Sequence, residues 1–293
     1  MTVLNQPYGM IGSNGKLLQF DGVKYSLLAE GLTGISHYPV SHDSTATPGM
    51  IGELYHTSTI GKRLLSFVLM VYGANRAELE INRSAFISAI NPIYGKSVLL
   101  WKRANGVIVA LDVIPDDGTP SFRNDVLDNA TSWKGYCDFI AFDPCYYDEN
   151  EVEANVMGYI GGFTLPFTVP FTLGTADDLA SLYNTGDTPT PCIITLTGMM
   201  ENPIVTNVTT GEFISVKQTI ADNEKLVINT KHGSKSVTLI DSDDVETNAL
   251  NYVTSTSKFF QLAPGLNTIR FTATTQGINA SGKLVYNPRW ISL

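Results

Sequence analysis

The sequence predicts a mainly β protein, with a β-rich α+β first half that contains one helix and a second half that forms an antiparallel β-sandwich. Glycine, threonine, asparagine and aromatic residues are abundant, whereas stretches rich in alanine, glutamate and lysine are scarce. Short alternations of apolar and polar residues, separated by turn sequences, recur along the chain. A helical spacing of apolar residues is confined to residues 75–90.

The length and composition are those of an ordinary globular protein. The 293 residues suggest about two domains, and 43% of them are hydrophobic while 16% are charged. The net charge is −9 without any run of lysine and arginine, which argues against specific nucleic-acid binding and against binding to an anionic membrane. Residues 1–12 have no signal-peptide pattern, and the apolar run at 64–72 is too short to span a bilayer. We therefore expect a soluble protein made in a cytoplasm.

The first half is predicted to consist mainly of strands. An Asp-Gly turn at residues 21–22 separates the first two strands and predicts a hairpin. The predicted strands are Lys16–Phe20, Val23–Leu28, Lys62–Tyr72, Val98–Lys102, Gly106–Val113 and Gly135–Phe142. Residues 41–59 are rich in serine, threonine, glycine and proline, so a loop with little order of its own is predicted there.

The stretch that breaks the β pattern begins at Asn75. Asn75 and Glu78 have the spacing of a capping box, in which each side chain bonds a backbone N–H at the start of the helix. The largely apolar stripe that follows at helical spacing comprises Leu79, Arg83, Phe86, Ile87 and Ile90. Asn91-Pro92 ends the helix because the residue before a proline avoids the α region. We expect the apolar face to pack against a sheet.

An acidic stretch, Asp148–Glu153, marks the predicted boundary between two domains, residues 1–154 and 155–293. Beyond it, short strands recur with turn sequences such as Pro264-Gly265 between them. These strands are Cys192–Thr197, Glu212–Lys217, Glu224–Asn229, Lys235–Leu239, Lys258–Leu262, Asn267–Ala273 and Lys283–Tyr286. Their spacing is typical of an antiparallel sandwich.

A short repeat at residues 161–174, here called the clasp, has the sequence Gly-Gly-Phe-Thr-Leu-Pro-Phe-Thr-Val-Pro-Phe-Thr-Leu-Gly. Its prolines exclude a helix. In an extended chain Phe163, Phe167 and Phe171 lie on one face, and the prolines leave one edge without N–H donors. This pattern predicts an edge strand whose apolar face needs a partner, so the three phenylalanines are predicted interaction residues.

The sequence predicts no metal or cofactor site. His37, His42 and His56, with Asp43, are close enough in sequence to converge on a metal ion, but their spacing matches no ligand pattern. The acidic cluster 241–246 lacks the ligand order of a calcium loop and is interpreted as a solvated hairpin tip. The three cysteines form no Cys-x-x-Cys pair, so small buried side chains are their expected role.

No catalytic pattern is present in the sequence either. It contains no Gly-x-Ser-x-Gly elbow and no phosphate-binding glycine loop. Asp143 and Asp148 come nearest to the acid pair of a glycoside hydrolase, but Asp143 precedes a proline at a strand end, where a carboxylate usually caps a turn. The expected protein is therefore not an enzyme.

The aromatic residues leave two interpretations open. The residues concerned are Trp101, Trp133, Trp290, Tyr146, Tyr147, Tyr252 and Tyr286. One interpretation is a platform on which sugar rings stack. The other, which is the more common use of such residues, is a place in the core or in a subunit interface.

The order and spacing of several short stretches carry a resemblance that runs over nearly the whole chain. In the first half they are Gly31-Leu32, Pro48-Gly49, Asn91–Gly95 and Phe139–Tyr147. In the second half they are the clasp, Gly186–Pro191, Asn207–Glu212, Phe259–Ile269 and Asn287–Trp290. In these stretches the chain resembles the distal tail protein (Dit) family of siphophage baseplates, a family of phage tail components.

The resemblance implies a structural protein of the virion, located at the distal end of the phage tail and assembled in the host cytoplasm. It implies an N-terminal domain that forms a homo-oligomeric ring, typically a hexamer, around a channel for DNA. It also implies a galectin-like C-terminal β-sandwich that anchors a receptor-binding protein. The tail tube protein and the tail-tip hub or tail-associated lysin are the other implied partners. Pro288, Arg289 and Trp290 of the last stretch are expected to join these interactions.

A second function, from a different class, is a carbohydrate-binding adhesion module that acts through the C-terminal sandwich. A sandwich fold does not by itself establish sugar binding. The oligomeric state separates the two functions. A ring favours the baseplate hub, whereas a stable monomer that binds cell-wall glycan favours the adhesion module.

Overall fold

The computed structural model describes residues 7–49, 51–116, 119–122, 131–157, 179–277 and 279–293. The chain divides into two compact units. Unit 1 comprises Met1–Glu149 and Trp290–Leu293, and unit 2 comprises Asn150–Arg289. The division into domains 1–154 and 155–293 stays a prediction. Within the described ranges, no helix is long and apolar enough to cross a membrane.

Unit 1 is built on one large sheet. Its strands are β1 (Gly9–Ile11), β2 (Leu17–Gln19), β3 (Tyr25–Thr33), β4 (Val40–Ala46), β5 (Glu53–Ile60), β6 (Arg63–Tyr72), β7 (Ser97–Lys102), β8 (Ile108–Pro115), β9 (Ser121–Phe122), β10 (Ser132–Ala141) and β11 (Tyr146–Asp148). The sheet has the order β2-β1-β7-β8-β10-β6-β3, with β9 beside β10 and β11 beside β8. Strands β4 and β5 form a separate ribbon. The predicted β-rich first half is thus confirmed.

The hairpin predicted across the turn at residues 21–22 is wrong. Strand β2 pairs with β1 at one end of the sheet order, whereas β3 pairs with β6 at the other end. Both strands still bury apolar side chains, among them Leu18 and Leu27, in the same core. Both predicted strands are therefore present, but a local turn signal does not decide which strand becomes the partner.

The predicted helix is confirmed as α1 (Arg76–Ala89). The side chain of Asn75 accepts the N–H of Glu78 at 3.0 Å, and the Glu78 carboxylate accepts the N–H of Ala74 at 2.9 Å. These bonds satisfy donors that the first helical turn leaves free. Ile87, predicted for the apolar face, is exposed, because the face that packs on the sheet is narrower than the predicted stripe.

The core of unit 1 joins the helix to the sheet. The rings of Phe67 and Phe139 stack with their centroids 5.2 Å apart. The Tyr25 hydroxyl donates to the backbone carbonyl of Asn82 at 2.8 Å, and the Asn82 amide donates to the carbonyl of Tyr72 at 2.7 Å. These two bonds fix the rotation of α1 against β3 and β6, and aromatic and aliphatic side chains together form the apolar core.

The loop predicted at residues 41–59 is wrong. Strands β4 and β5 pair there in antiparallel register, from Val40 opposite Ile60 to Ala46 opposite Glu53. The prediction gave too much weight to serine, glycine and proline. Threonine, valine and isoleucine of the two strands have high β propensity, and glycine and proline are confined to the connecting turn.

Unit 2 contains the remaining strands. They are β12 (Val152–Met157), β13 (Leu179–Asn184), β14 (Cys192–Thr197), β15 (Met200–Glu201), β16 (Ile204–Asn207), β17 (Glu212–Ser215), β18 (Thr219–Ile220), β19 (Lys225–Asn229), β20 (Ser236–Ile240), β21 (Glu246–Asn248), β22 (Gly265–Thr272), β23 (Thr275–Gln276) and β24 (Ser281–Tyr286). The last strand, β25 (Arg289–Trp290), ends in unit 1 and belongs to the large sheet, where it pairs with β11. Short 3-10 turns, Pro92–Tyr94 in unit 1 and Leu250–Tyr252 in unit 2, complete the elements.

The strands of unit 2 form a sandwich. One sheet has the order β12-β24-β14-β19-β20-β21, a second has the order β13-β22-β16-β17, and β18-β15-β23 form a small third sheet. Side chains from the first two sheets, among them Leu196 and Phe271, belong to one core. The predicted antiparallel sandwich is confirmed.

One strand predicted in the second half, Lys258–Leu262, is wrong. Its first residue donates its N–H to the carbonyl of Phe213, and its last residue pairs with Thr190 in an isolated bridge. Because one end contacts β17 and the other contacts Thr190, which lies between β13 and β14, the segment makes no ladder.

A threonine that is fully buried in unit 2 gives a direct test of its packing. The hydroxyl oxygen of Thr230 accepts the N–H of Cys192 at 2.8 Å and donates to the Cys192 carbonyl at 3.1 Å. Thr230→Val removes the acceptor of the Cys192 N–H, while the Cys192 carbonyl keeps the N–H of residue 230 at 3.1 Å, so we expect the free energy of unfolding to fall by about 1–3 kcal/mol in urea titrations. Thr247→Val, at an exposed position of β21, is the control and should change it by less than about 0.5 kcal/mol. Equal losses in the two variants would contradict the assigned role.

Candidate functional site

Strands β4 and β5, with the residues that join them, form an exposed ribbon at residues 39–60, here called the hairpin arm. Every described residue of the arm is exposed. Among the described strands, β4 and β5 pair with each other alone. An isolated two-stranded hairpin is only marginally stable in water, and its open edges can accept another strand. The arm is therefore a candidate interaction surface.

Polar side chains hold the two strands of the arm together. His42 Nδ1 lies 2.8 Å from the hydroxyl of Ser58, which also lies 2.8 Å from the hydroxyl of Tyr55. His56 Nε2 lies 2.7 Å from the hydroxyl of Thr45. Two of the histidines considered as metal ligands thus bond to hydroxyl groups. In the part of the chain that the structure describes, no group of three His, Cys, Asp or Glu side chains could hold a metal ion.

The arm also exposes large apolar side chains. They are Val40, Ile51, Leu54, Tyr55 and Ile60. In the sequence of the arm, the only acidic residues are Asp43 and Glu53, and lysine and arginine are missing. A ribbon with many exposed apolar groups and few charges is suited to contact with another protein surface.

The base of the arm is anchored by Arg63, the first residue of β6. Its side chain is fully buried, and its guanidinium donates to backbone carbonyl groups from separate parts of unit 1. The acceptors are the carbonyl oxygens of Gly34 (2.8 Å), Ile35 (2.6 Å), His37 (3.1 Å), Pro144 (3.0 Å) and Ile291. Hydrogen bonds to a charged group are stronger than neutral ones, so this cluster fixes the segment that leads into β4.

Aromatic rings complete the surroundings of the guanidinium. Its central carbon lies 4.8 Å from the ring centroid of Tyr146 and 6.0 Å from that of Tyr38. Burial lowers the pKa of Arg63, but an arginine remains protonated in a protein. Carbonyl dipoles and ring faces therefore replace water around a permanent charge.

Gly34 brings the base of the arm against β6. Its φ of +83° lies in the left-handed region, which glycine adopts without strain. A Cβ atom at this position would lie 1.9 Å from the carbonyl oxygen of Leu64, so no other residue fits without moving the chain. This close approach puts the Gly34 carbonyl within reach of Arg63.

The aromatic residues considered for sugar stacking belong mainly to the cores. Trp101, Trp133 and Tyr146 are buried in unit 1, and Tyr286 is buried in unit 2. Tyr252 is exposed. The interpretation as core residues is confirmed for the buried ones, and a platform formed by the whole set is excluded.

The six predicted interaction residues have different positions. The clasp residues Phe163, Phe167 and Phe171 lie outside the described residues. Pro288 is buried, and the carbonyl of Arg289 accepts the N–H of Asp187 at 3.0 Å. Trp290 packs against the core of unit 1, with the Arg103 guanidinium 4.2 Å from its ring centroid. A role of these residues in binding stays a prediction.

The carboxylates singled out in the sequence serve turns. Asp143 accepts the N–H of Cys145 at 3.4 Å, as expected for a carboxylate that caps a turn. Asp241 accepts the N–H groups of Asp243 and Val245 at 2.9 and 3.0 Å, between β20 and β21. The acidic hairpin tip is thereby confirmed.

The sequence did not single out Arg63 or Gly34. The one signal in the sequence was the position of Arg63 directly before the apolar run 64–72. An arginine at this position either is buried with the run or marks the start of the strand. Its acceptors lie up to 228 positions away in the sequence, so their identity could not be inferred from spacing.

Comparisons with known proteins agree with the fold. Residues 185–290 match the family described as siphovirus-type tail component, C-terminal domain. A search among curated proteins gave no match. The crystal structure of SPP1 Dit (gp 19.1), described as a paradigm of the hub adsorption apparatus in phages that infect Gram-positive bacteria, is 13% identical with a TM-score of 0.65, over 96% of this chain and 98% of that chain.

Two structures of the phage P2 baseplate in its activated conformation are also similar. The one with Ca is 13% identical over 96% of this chain and 98% of that chain, with a TM-score of 0.56. The one with Sr is 14% identical over 95% and 97%, with the same TM-score of 0.56. At these identities the structures show a shared fold, and together with the family match they confirm the resemblance to the distal tail proteins.

The anchor predicts a dependence of stability on pH. The Tyr146 hydroxyl donates to the Ile35 carbonyl at 2.8 Å, and burial raises the pKa of Tyr146 from 10.0 to about 12. Because the folded pKa is raised, this contribution is complete below pH 10 and is lost as the pH rises through about 12. We expect Tyr146→Phe to lower the free energy of unfolding by about 1 kcal/mol at neutral pH and to reduce its decline above pH 10.

Urea titrations at neutral and alkaline pH measure this effect, with Tyr94→Phe as the control because Tyr94 is exposed. The control should follow the unmodified protein at every pH. An identical alkaline decline in the Tyr146→Phe variant and the unmodified protein would show that Tyr146 is not responsible.

Proposed function

We propose that this phage tail component is a ring-forming baseplate hub. The proposal is supported by the match of residues 185–290 to the C-terminal domain of siphovirus-type tail components. In this role the protein joins the tail tube to the tail tip and anchors receptor-binding proteins. The hub is a structural protein without enzymatic activity, located at the distal end of the tail in the virion and assembled in the host cytoplasm.

The hairpin arm is the observation that carries the ring. A fully exposed, largely uncharged ribbon gains stability when another surface covers its apolar side chains. In a heterologous contact, the arm of one subunit lies on a different surface of the next subunit, and such contacts close into a ring when the rotation allows it. A hexamer is the proposed closed form.

The remaining partners follow from the position of a ring at the end of a tail. One face of the ring binds the tail tube protein, and the other binds the tail-tip hub or tail-associated lysin. Unit 2, as a galectin-like sandwich, supplies the attachment for the receptor-binding protein. A net charge of −9 is compatible with a channel through which DNA passes without specific binding.

The alternative, a carbohydrate-binding adhesion module, loses its main support. Most of the aromatic residues that suggested a sugar platform are buried in the two cores. A sandwich fold without such a platform does not indicate sugar binding. The measured oligomeric state remains the observation that separates the two functions.

Removing apolar side chains from the arm tests the ring. We expect Leu54→Ser combined with Ile60→Ser to weaken each subunit contact by about 3 kcal/mol, or about a hundredfold. The unmodified protein should elute as a ring in size-exclusion chromatography with light scattering, and the variant as a monomer at the same concentration.

The matched control is Leu266→Ser combined with Ile193→Ser in unit 2. These residues are 59% and 43% exposed, close to the 55% and 44% of Leu54 and Ile60. The control should keep the mass of the ring. Loss of the ring in both variants would show a general solubility effect, and a monomeric unmodified protein would refute the ring.

The clasp supplies a second test of assembly. We propose that Phe163, Phe167 and Phe171 cover a surface that is needed for the ring. Phe167→Ser should then lower the fraction of assembled protein at low concentration without lowering the melting temperature. Thr168→Ala, on the opposite face of an extended chain, is the control. If Phe167→Ser assembles like the unmodified protein, the clasp is only a surface strand.

A further inference from the structure

The acceptor set of Arg63 joins chain segments that are far apart in sequence. Nε donates to the Pro144 carbonyl, one terminal nitrogen donates to the carbonyls of Gly34, Ile35 and His37, and the other donates to the carbonyl of Ile291. In the part of the chain that the structure describes, Ile291 is the one partner recorded for this last nitrogen. The segment 290–293 therefore completes the anchor of the arm.

The two chain segments that enter and leave the hairpin arm meet at Arg63. The segment that leads into β4 contributes the carbonyls of residues 34, 35 and 37. The segment that follows β5 passes through Gly61 and Lys62 directly to Arg63. The N–H of Gly61 donates to the carbonyl of Pro39 at 2.9 Å, which closes the base of the ribbon. Beyond this base the arm is exposed and pairs with no other described strand. Its direction is thus set at its base.

We propose that residues 290–293 act as a strap that fixes the direction of the hairpin arm through Arg63. The strap follows the whole of unit 2 in the sequence, so the arm becomes fixed only after unit 2 has been synthesised and residue 291 has reached unit 1. This last point rests on the proposed function: if the subunits form a ring, its assembly depends on the docking of residue 291 in unit 1. A subunit that lacks the strap then presents an arm without a defined direction.

The packing of the segment supports this role. Trp290 and Leu293 pack against the core of unit 1, and the Arg103 guanidinium covers the Trp290 ring. These contacts hold residue 291 between two fixed positions, so its carbonyl is presented to the guanidinium with little freedom. The buried charge of Arg63 gives the bond its strength, because a guanidinium nitrogen without an acceptor is costly in a buried site.

Amide hydrogen exchange on the full chain tests the strap. The variant is the chain ended at Trp290, which removes the Ile291 carbonyl from the anchor. We expect amides within residues 39–61 to exchange about tenfold faster, while those of Leu65–Val71 in β6 remain protected. Arg63→Gln should give the same local pattern, because its shorter, uncharged side chain cannot reach the same acceptors.

The control is Ile291→Ala, which keeps the peptide carbonyl of residue 291 and the contacts of Trp290 and Leu293. Its exchange within residues 39–61 should match that of the full chain. Unchanged exchange in the chain ended at Trp290 would overturn the strap. Equal acceleration in Leu65–Val71 would overturn it as well, because the effect would then be general destabilisation of unit 1.

Light scattering on the same samples keeps the two proposals apart. If the full chain forms no ring, the proposed function fails while the exchange result still decides the strap. If the full chain forms a ring and the chain ended at Trp290 shows unchanged exchange, the strap fails while the ring stands.

Discussion

The buried guanidinium of Arg63 is the constraint on which the exposed part of unit 1 depends. A charge removed from water is tolerated only when hydrogen bonds replace its hydration. Here the acceptors are backbone carbonyls, which are free only where the chain has left the ladders of a sheet. The carbonyls of Gly34, Ile35 and His37 follow the end of β3, and that of Pro144 lies between β10 and β11. The buried charge of Arg63 therefore requires chain segments outside the strands at the place where the arm leaves the sheet.

Unit 2 buries polar side chains of a different kind. Its buried polar side chains are asparagine and threonine, which carry no charge, and they bond to backbone both close by and far away in the sequence. Asn267 is an example, since its amide group bonds both the N–H and the carbonyl of Ala263 and so closes the turn at Pro264-Gly265. Such bonds satisfy the polar groups that the sandwich buries, so the burial of polar side chains in unit 2 needs no charged group.

The parts of the fold that local patterns determine were predictable from the sequence. Capping by Asn75, alternation along β6 and the acidic turn at Asp241 each involve residues within a few positions of one another. Strand partners were not predictable, because β2 and β3 flank a good turn and still pair elsewhere. The anchor of the arm was also out of reach, since it depends on a carbonyl more than two hundred positions from Arg63.

The misjudged segment 41–59 shows why an interaction surface is hard to recognise in a sequence. The strands of the arm carry hydroxyl and imidazole groups, and two pairs of them bond across the ribbon, His42 with Ser58 and Thr45 with His56. The same groups give it the composition of a loop. Its large apolar side chains are exposed and are not part of the core of unit 1, so the usual link between alternation and core is missing. The sequence of such a ribbon is therefore hard to tell from that of a loop until its backbone pairing and its anchor are seen.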